Sequence, residues 1–130
     1  MASIFSKIIS GEVPCYKIAE NNDFLAFLDI NPLALGHTLV VPKLEIDYIF
    51  DLEDDLLERM IIFSKEVAVK LKKNLDCKRI GVSVIGLEVP HAHIHLIPIN
   101  SISDMNFSRP KLVISQNEFQ ELQTKILNGQ

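Results

Sequence analysis

The chain has 130 residues, 48% of them hydrophobic and 23% charged, with a net charge of -4. That is enough apolar material to core one domain and too much for a disordered chain. It argues against a polyanion-binding surface, which needs clustered Lys and Arg; the densest basic stretch, residues 70–79, is interrupted by Asn74, Leu75, Asp76 and Cys77 and suits the solvated end of a helix.

The first residues lack the long apolar centre of a signal peptide. An amphipathic stretch over residues 4–9 predicts a short helix stopped at Gly11. Residues 16–20 and 24–30, separated by Asn21-Asn22-Asp23, predict a hairpin that Asn31-Pro32 breaks. Residues 38–41, Thr-Leu-Val-Val, predict a strand stopped by Pro42. Asp51 is expected to open and cap a long helix, with Glu53, Asp54 and Asp55 at its positive end. Leu56, Met60, Phe63, Val67 and Leu71 recur every three or four positions and form its buried stripe. Strands are expected at 80–85 and 92–97, joined through Gly86 and Pro90. Ser115-x-x-Glu118 is a capping box that opens a last helix carrying Phe119, Leu122 and Ile126.

The order helix, three strands, helix, two strands, helix predicts an α+β fold. Its sheet is five-stranded and mainly antiparallel, with the long helix on one face and short helices at each end. Residues 1–130 form a single domain on this expectation. A sheet edge is left open, and pairing it with a second copy predicts a homodimer through that edge and the helix. No run approaches the roughly 18 apolar residues of a membrane span. The two cysteines, Cys15 and Cys77, are distant and belong to no Cys-x-x-Cys pair. They read as apolar fillers in a reducing cytoplasm.

Three of the four histidines fall in residues 91–97, His-Ala-His-Ile-His-Leu-Ile. Strand alternation puts His91, His93 and His95 on one face, about 6–7 Å apart, and Ala92, Ile94 and Leu96 on the other. Imidazole there can be nucleophile, acid, base or metal ligand. A His-x-His chelate completed by Glu88 or His37 is one reading of the patch.

The segment resembles the signature of the histidine-triad (HIT) superfamily, His-φ-His-φ-His-φ-φ with φ apolar. Three further blocks are similar to that family: residues 4–14, residues 27–32 (Phe-Leu-Asp-Ile-Asn-Pro) and residues 36–43 (Gly-His-Thr-Leu-Val-Val-Pro-Lys). The small size resembles the nucleotide-binding and fragile-histidine-triad branches. The resemblance implies cleavage of a P–N or P–O bond at a nucleotide α-phosphate through a nucleotidyl-histidine intermediate. His93 matches the nucleophile. His91 and His95 match the residues that orient it and meet the phosphate or leaving group, and His37 matches a fourth histidine from the adjacent strand. Asp29 matches the acid that holds the ribose hydroxyls. Ile4, Phe5, Phe27 and Ile30 match the slot for the base, and Val89 offers a backbone N–H where Pro90 cannot. A purine nucleotide or conjugate is the implied ligand, with no cofactor and no nucleic-acid or membrane partner.

Two departures matter. Many bacterial relatives bind structural zinc through a Cys-x-x-Cys and a histidine; Ser3, Ser6 and Glu45 stand at those positions, so no structural zinc is expected. The loop before His91 is short, and Leu87 and Glu88 replace the family's Gln and Ser/Thr. A carboxylate there repels phosphate or pairs with a cationic leaving group. A pocket that binds nucleotide with little catalysis is the competing expectation.

Overall fold

The computed structural model describes residues 2–129. In chain order it contains α1 (Ile4–Ile9), β1 (Lys17–Glu20), β2 (Phe24–Leu28), β3 (Thr38–Pro42), α2 (Asp54–Asn74), β4 (Arg79–Ser83), β5 (Ile94–Ile99) and α3 (Gln116–Asn128). Two 3-10 turns, Ile49–Asp51 and Ile102–Met105, punctuate the loops. The sheet order is β1-β2-β3-β5-β4, and every pairing is antiparallel. This is the expected α+β arrangement.

Both faces of the sheet are covered, which is why β2 and β3 are buried at every position rather than at alternate ones. Phe24, Ala26 and Leu28 of β2 face α2 and join Val40, Ile94 and Leu96 with Met60, Phe63, Val67 and Leu71. Phe119 and Ile126 of α3 close the same cluster, while Leu56 and Leu122 pack at its margin. Leu25 and Phe27 point the other way, to Leu39, Val41 and Phe5 of α1. The helix stripe read from the sequence is the stripe that is buried.

Element ends differ in instructive ways. The long helix begins at Asp54 after Glu53, not at Asp51, which closes a 3-10 turn. Leu52 and Glu53 between them take extended backbone, with ψ of 141° and 149°, and that separates the turn from the helix. β2 ends at Leu28 instead of residue 30 because the Asp29 carboxylate accepts the Asn31 N–H (2.8 Å), turning the chain. β4 spans 79–83 rather than 80–85. β5 starts at Ile94 rather than Ala92, so only His95 of the three lies within a strand. The Ala92 N–H goes to the Ile46 carbonyl (2.7 Å) in a loop. The Pro42 carbonyl, which a longer ladder would use, is taken by the His91 ring. Even so, alternation persists: Ala92, Ile94 and Leu96 lie in the α2-side core.

Gly36 sets up the strand that follows. Its φ of +94° is the left-handed region, and a Cβ there would also strike the Leu75 side chain. The next residue is His37.

Candidate active site

His95 sits opposite Leu39 in the β3–β5 register, and His37 immediately precedes β3. Their rings meet at 5.2 Å between centroids, and His93 and His95 meet at 5.0 Å. Phe5 of α1 packs edge-on against His93 at 4.9 Å and against His91 at 5.8 Å. All four imidazoles are buried.

Hydrogen bonds fix which nitrogen carries the proton in the neutral rings of His37, His93 and His95. The Leu33 N–H donates to His37 Nδ1 (3.0 Å), so the His37 proton is on Nε2. That N–H donates to His95 Nδ1 (2.9 Å), leaving the His95 proton on its own Nε2. His93 Nδ1 lies 2.7 Å from the His91 carbonyl, which can only accept. His93 therefore donates from Nδ1 and keeps a lone pair on Nε2. His91 donates from Nε2 to the Pro42 carbonyl (2.8 Å), and its Nδ1 is hydrogen-bonded to the Ser3 hydroxyl (2.7 Å).

Ser3 extends this chain to the surface. Its Oγ caps α1 by accepting the Ser6 N–H (3.0 Å). Glu45 accepts from the Ser3 N–H (2.7 Å) and the Ser6 hydroxyl (2.5 Å). These donors hold its carboxyl down at about 2. The residues standing at the family's zinc positions thus meet in space as a hydrogen-bonded cluster that ends on His91.

Burial dominates the electrostatics. It pushes His37 down to about 3 and His95 to about 4, and it lowers His93. Neutral rings at pH 7 are what a nucleophile and a neutral N–H donor require. Burial also raises the Asp29 carboxyl. Asp29 Oδ2 lies 3.5 Å from His37 Nε2. Asp29, His37 and His95 each bring a ligand-type atom within 4.8 Å of the others. The 2.9 Å between the two imidazoles is a hydrogen bond, however, and the Leu33 N–H occupies the remaining His37 nitrogen.

A pocket of about 460 Å³ opens beside these rings, a volume suited to a small ligand. It brings together His37, His93, His95, Asp29, Ile4, Phe5, Phe27, Ile30, Glu88 and Val89. His91 is the one expected site residue that does not line it. Its ring is wholly buried and turned toward Ser3 and Pro42, so it reaches His93 through its carbonyl and not the pocket through its ring. Sequence reasoning missed Phe107 and Lys111, which complete the wall from the segment after β5, and Cys15, whose thiol burial pushes up. Cys15 and Cys77 are both free and half-buried. The segment around Phe107 has no strand or helix period, so nothing in the sequence pointed to it.

A five-stranded antiparallel sheet that carries alternating histidines beside a pocket defines a histidine-triad type of protein. The comparisons agree. A model of the HIT domain matches residues 10–102. A HIT-like protein of Borreliella burgdorferi is 37% identical over 131 residues, spanning 95% of this chain and 94% of the relative. The adenosine 5'-monophosphoramidase of Saccharomyces cerevisiae is 38% identical over 100 residues, 75% of this chain and 62% of the relative. The crystal structure of a Hit-like protein from Bartonella henselae superposes with a TM-score of 0.85 at 28% identity, covering 98% of this chain and 96% of that one. The chain belongs to the HIT family. Among the described residues, no helix is long and apolar enough to cross a membrane.

Proposed function

We propose that residues 1–130 form one domain that hydrolyses a nucleotide conjugate at its α-phosphate through a covalent bond to His93. The observation that carries this reading is the His93–His91 hydrogen bond, which leaves the His93 Nε2 lone pair unprotonated in a ring that lines the pocket. In the first step that lone pair forms a P–N bond to the α-phosphorus as the bond to the leaving group breaks; the His95 Nε2–H donates a hydrogen bond to the departing atom, which takes its proton from solvent. In the second, water attacks phosphorus, the P–N bond breaks and the nucleoside monophosphate leaves. Splitting one displacement into two is the advantage of a covalent intermediate. The Val89 N–H, with no acceptor among the described residues, is a donor for developing phosphate charge. Asp29 receives the ribose hydroxyls, and Phe5, Phe27, Ile4 and Ile30 enclose the base. The yeast relative's name, adenosine 5'-monophosphoramidase, supports a P–N substrate of adenosine.

His93→Ala tests this reading directly. Turnover of adenosine 5'-phosphoramidate and of a dinucleoside polyphosphate should fall at least about 1,000-fold, with AMP affinity within about tenfold. Mass spectrometry of protein quenched in alkaline denaturant, where the P–N bond survives, should find the nucleotidyl adduct on His93 in the intact chain alone. Undiminished turnover in the variant rejects the assignment.

A second reading is favoured by Glu88, a carboxylate lining the pocket where the family resemblance implies a hydroxyl. On that reading the pocket binds nucleotide and releases little product. Tight AMP binding by the intact chain without monophosphate release from either substrate would select it.

A second copy of the chain, paired along the exposed edge of β4, is proposed as partner, since Val82 and Val84 on and beside that edge are exposed. Sedimentation should give the mass of two chains.

A further inference from the structure

Charge in the pocket is unevenly supplied. Only Asp29, Glu88 and Lys111 among its lining residues are ordinarily charged. Burial keeps the imidazoles neutral, so they bring donors and lone pairs but no net positive charge at pH 7. Two carboxylates facing an incoming phosphate oppose its entry unless the one ammonium is placed to meet it.

Lys111 has that placement. Its Nζ donates to the Phe107 carbonyl (2.7 Å) and lies 5.8 Å from the centroid of the Phe107 ring. Two N–H donors remain, because Lys111 joins no ion pair among the described residues. Phe107 packs edge-on against His95 at 4.9 Å and lies 6.3 Å from His37. The ammonium is therefore seated at the His95–His37 end of the cluster, whereas Phe5 flanks the His93–His91 end. The fields of the two charged residues divide in the same way: Lys111 disfavours protonation of His37 and His95, and Glu88 favours it at His93. Both Phe107 and Lys111 follow residue 102, where the HIT match ends.

We propose that Lys111, seated on Phe107, is the anion-recognising residue of the pocket. It selects nucleotides that carry a further negative group beyond the α-phosphate, such as a nucleoside 5'-diphosphate or a polyphosphate conjugate, over those with a neutral or cationic leaving group. This rests on the pocket being a nucleotide site, but not on turnover.

Calorimetric titration of the full chain with AMP and with ADP tests it, alongside Lys111→Met and Lys111→Arg. The intact chain should prefer ADP by about tenfold or more, Lys111→Met should erase most of that preference, and Lys111→Arg should restore it. A preference that survives Lys111→Met overturns the inference, as does an intact chain that binds the two equally. Failure to bind either nucleotide overturns both this inference and the proposed function. If the preference behaves as expected while neither adenosine 5'-phosphoramidate nor a dinucleoside polyphosphate is turned over, the catalytic reading alone falls.

Discussion

The two faces of the sheet are built on different principles. The α2 face is built around a cluster of sixteen buried apolar residues, with Ser64 of α2 the buried polar side chain left without a partner among the described residues. The α1 face holds five buried apolar residues, and beside them four imidazoles whose positions follow from named donors and acceptors. Area and volume govern the first face; proton positions govern the second. Stability and chemistry are therefore separable here to a degree that a single shared core would not allow.

The largest way to break this contrast is on the apolar face. Leu71→Ala removes a fully buried side chain and should cost about 2–5 kcal/mol in denaturant unfolding. The AMP affinity of the folded protein should stay within about threefold, since Leu71 packs in the α2-side cluster and does not line the pocket. A change of tenfold or more in affinity would show the faces to be coupled.

Acid should act on the other face. An unfolded histidine titrates near 6.5, while folded His95 and His37 resist protonation until about 4 and about 3. Each ring's contribution is whole above about pH 6.5 and is lost as pH falls toward those values, because the unfolded chain takes up protons first. Unfolding at pH 5 should be easier than at pH 7 by on the order of 1–2 kcal/mol per ring. Asp29, raised by burial, works in the opposite sense, its contribution fading as pH rises above the ordinary carboxyl range. A flat profile between pH 7 and 5 would contradict the neutral-ring assignment. His37→Asn should flatten it in part.

The smallest effect sharpens the link between α1 and the rings. Ser3→Ala removes a helix cap and the hydroxyl bonded to His91 Nδ1, and should cost about 1–2 kcal/mol. Turnover should fall more than AMP affinity does, because the lost bond steadies His91 and, through its carbonyl, His93. Equal losses in both would make Ser3 a purely structural cap.

Much of this was legible in the sequence, for identifiable reasons. The three-or-four spacing from Leu56 to Leu71 named the buried stripe because helix geometry leaves it no other way to face the sheet. The period-two histidines named the correct face even though His91 and His93 precede the strand, since extended backbone alternates with or without a ladder. Three features were hidden. Asp51 looked like a helix cap because capping chemistry is local, whereas the chain stays extended through Leu52 and Glu53 and the helix starts at Asp54. The His91 ring direction depends on the Pro42 carbonyl, 49 positions away. Phe107 and Lys111 reach the pocket from an irregular segment, and irregular segments carry no period to read.

The order in which the pocket is assembled has a further consequence. Translation delivers Phe5 early, His93 later, and Lys111 later still. A nascent chain that has emerged as far as residue 100 holds the His93 imidazole but not the Lys111 ammonium. On the proposed role of Lys111, a fragment cut before Phe107 should keep the His93 ring and lose the preference for a polyphosphate.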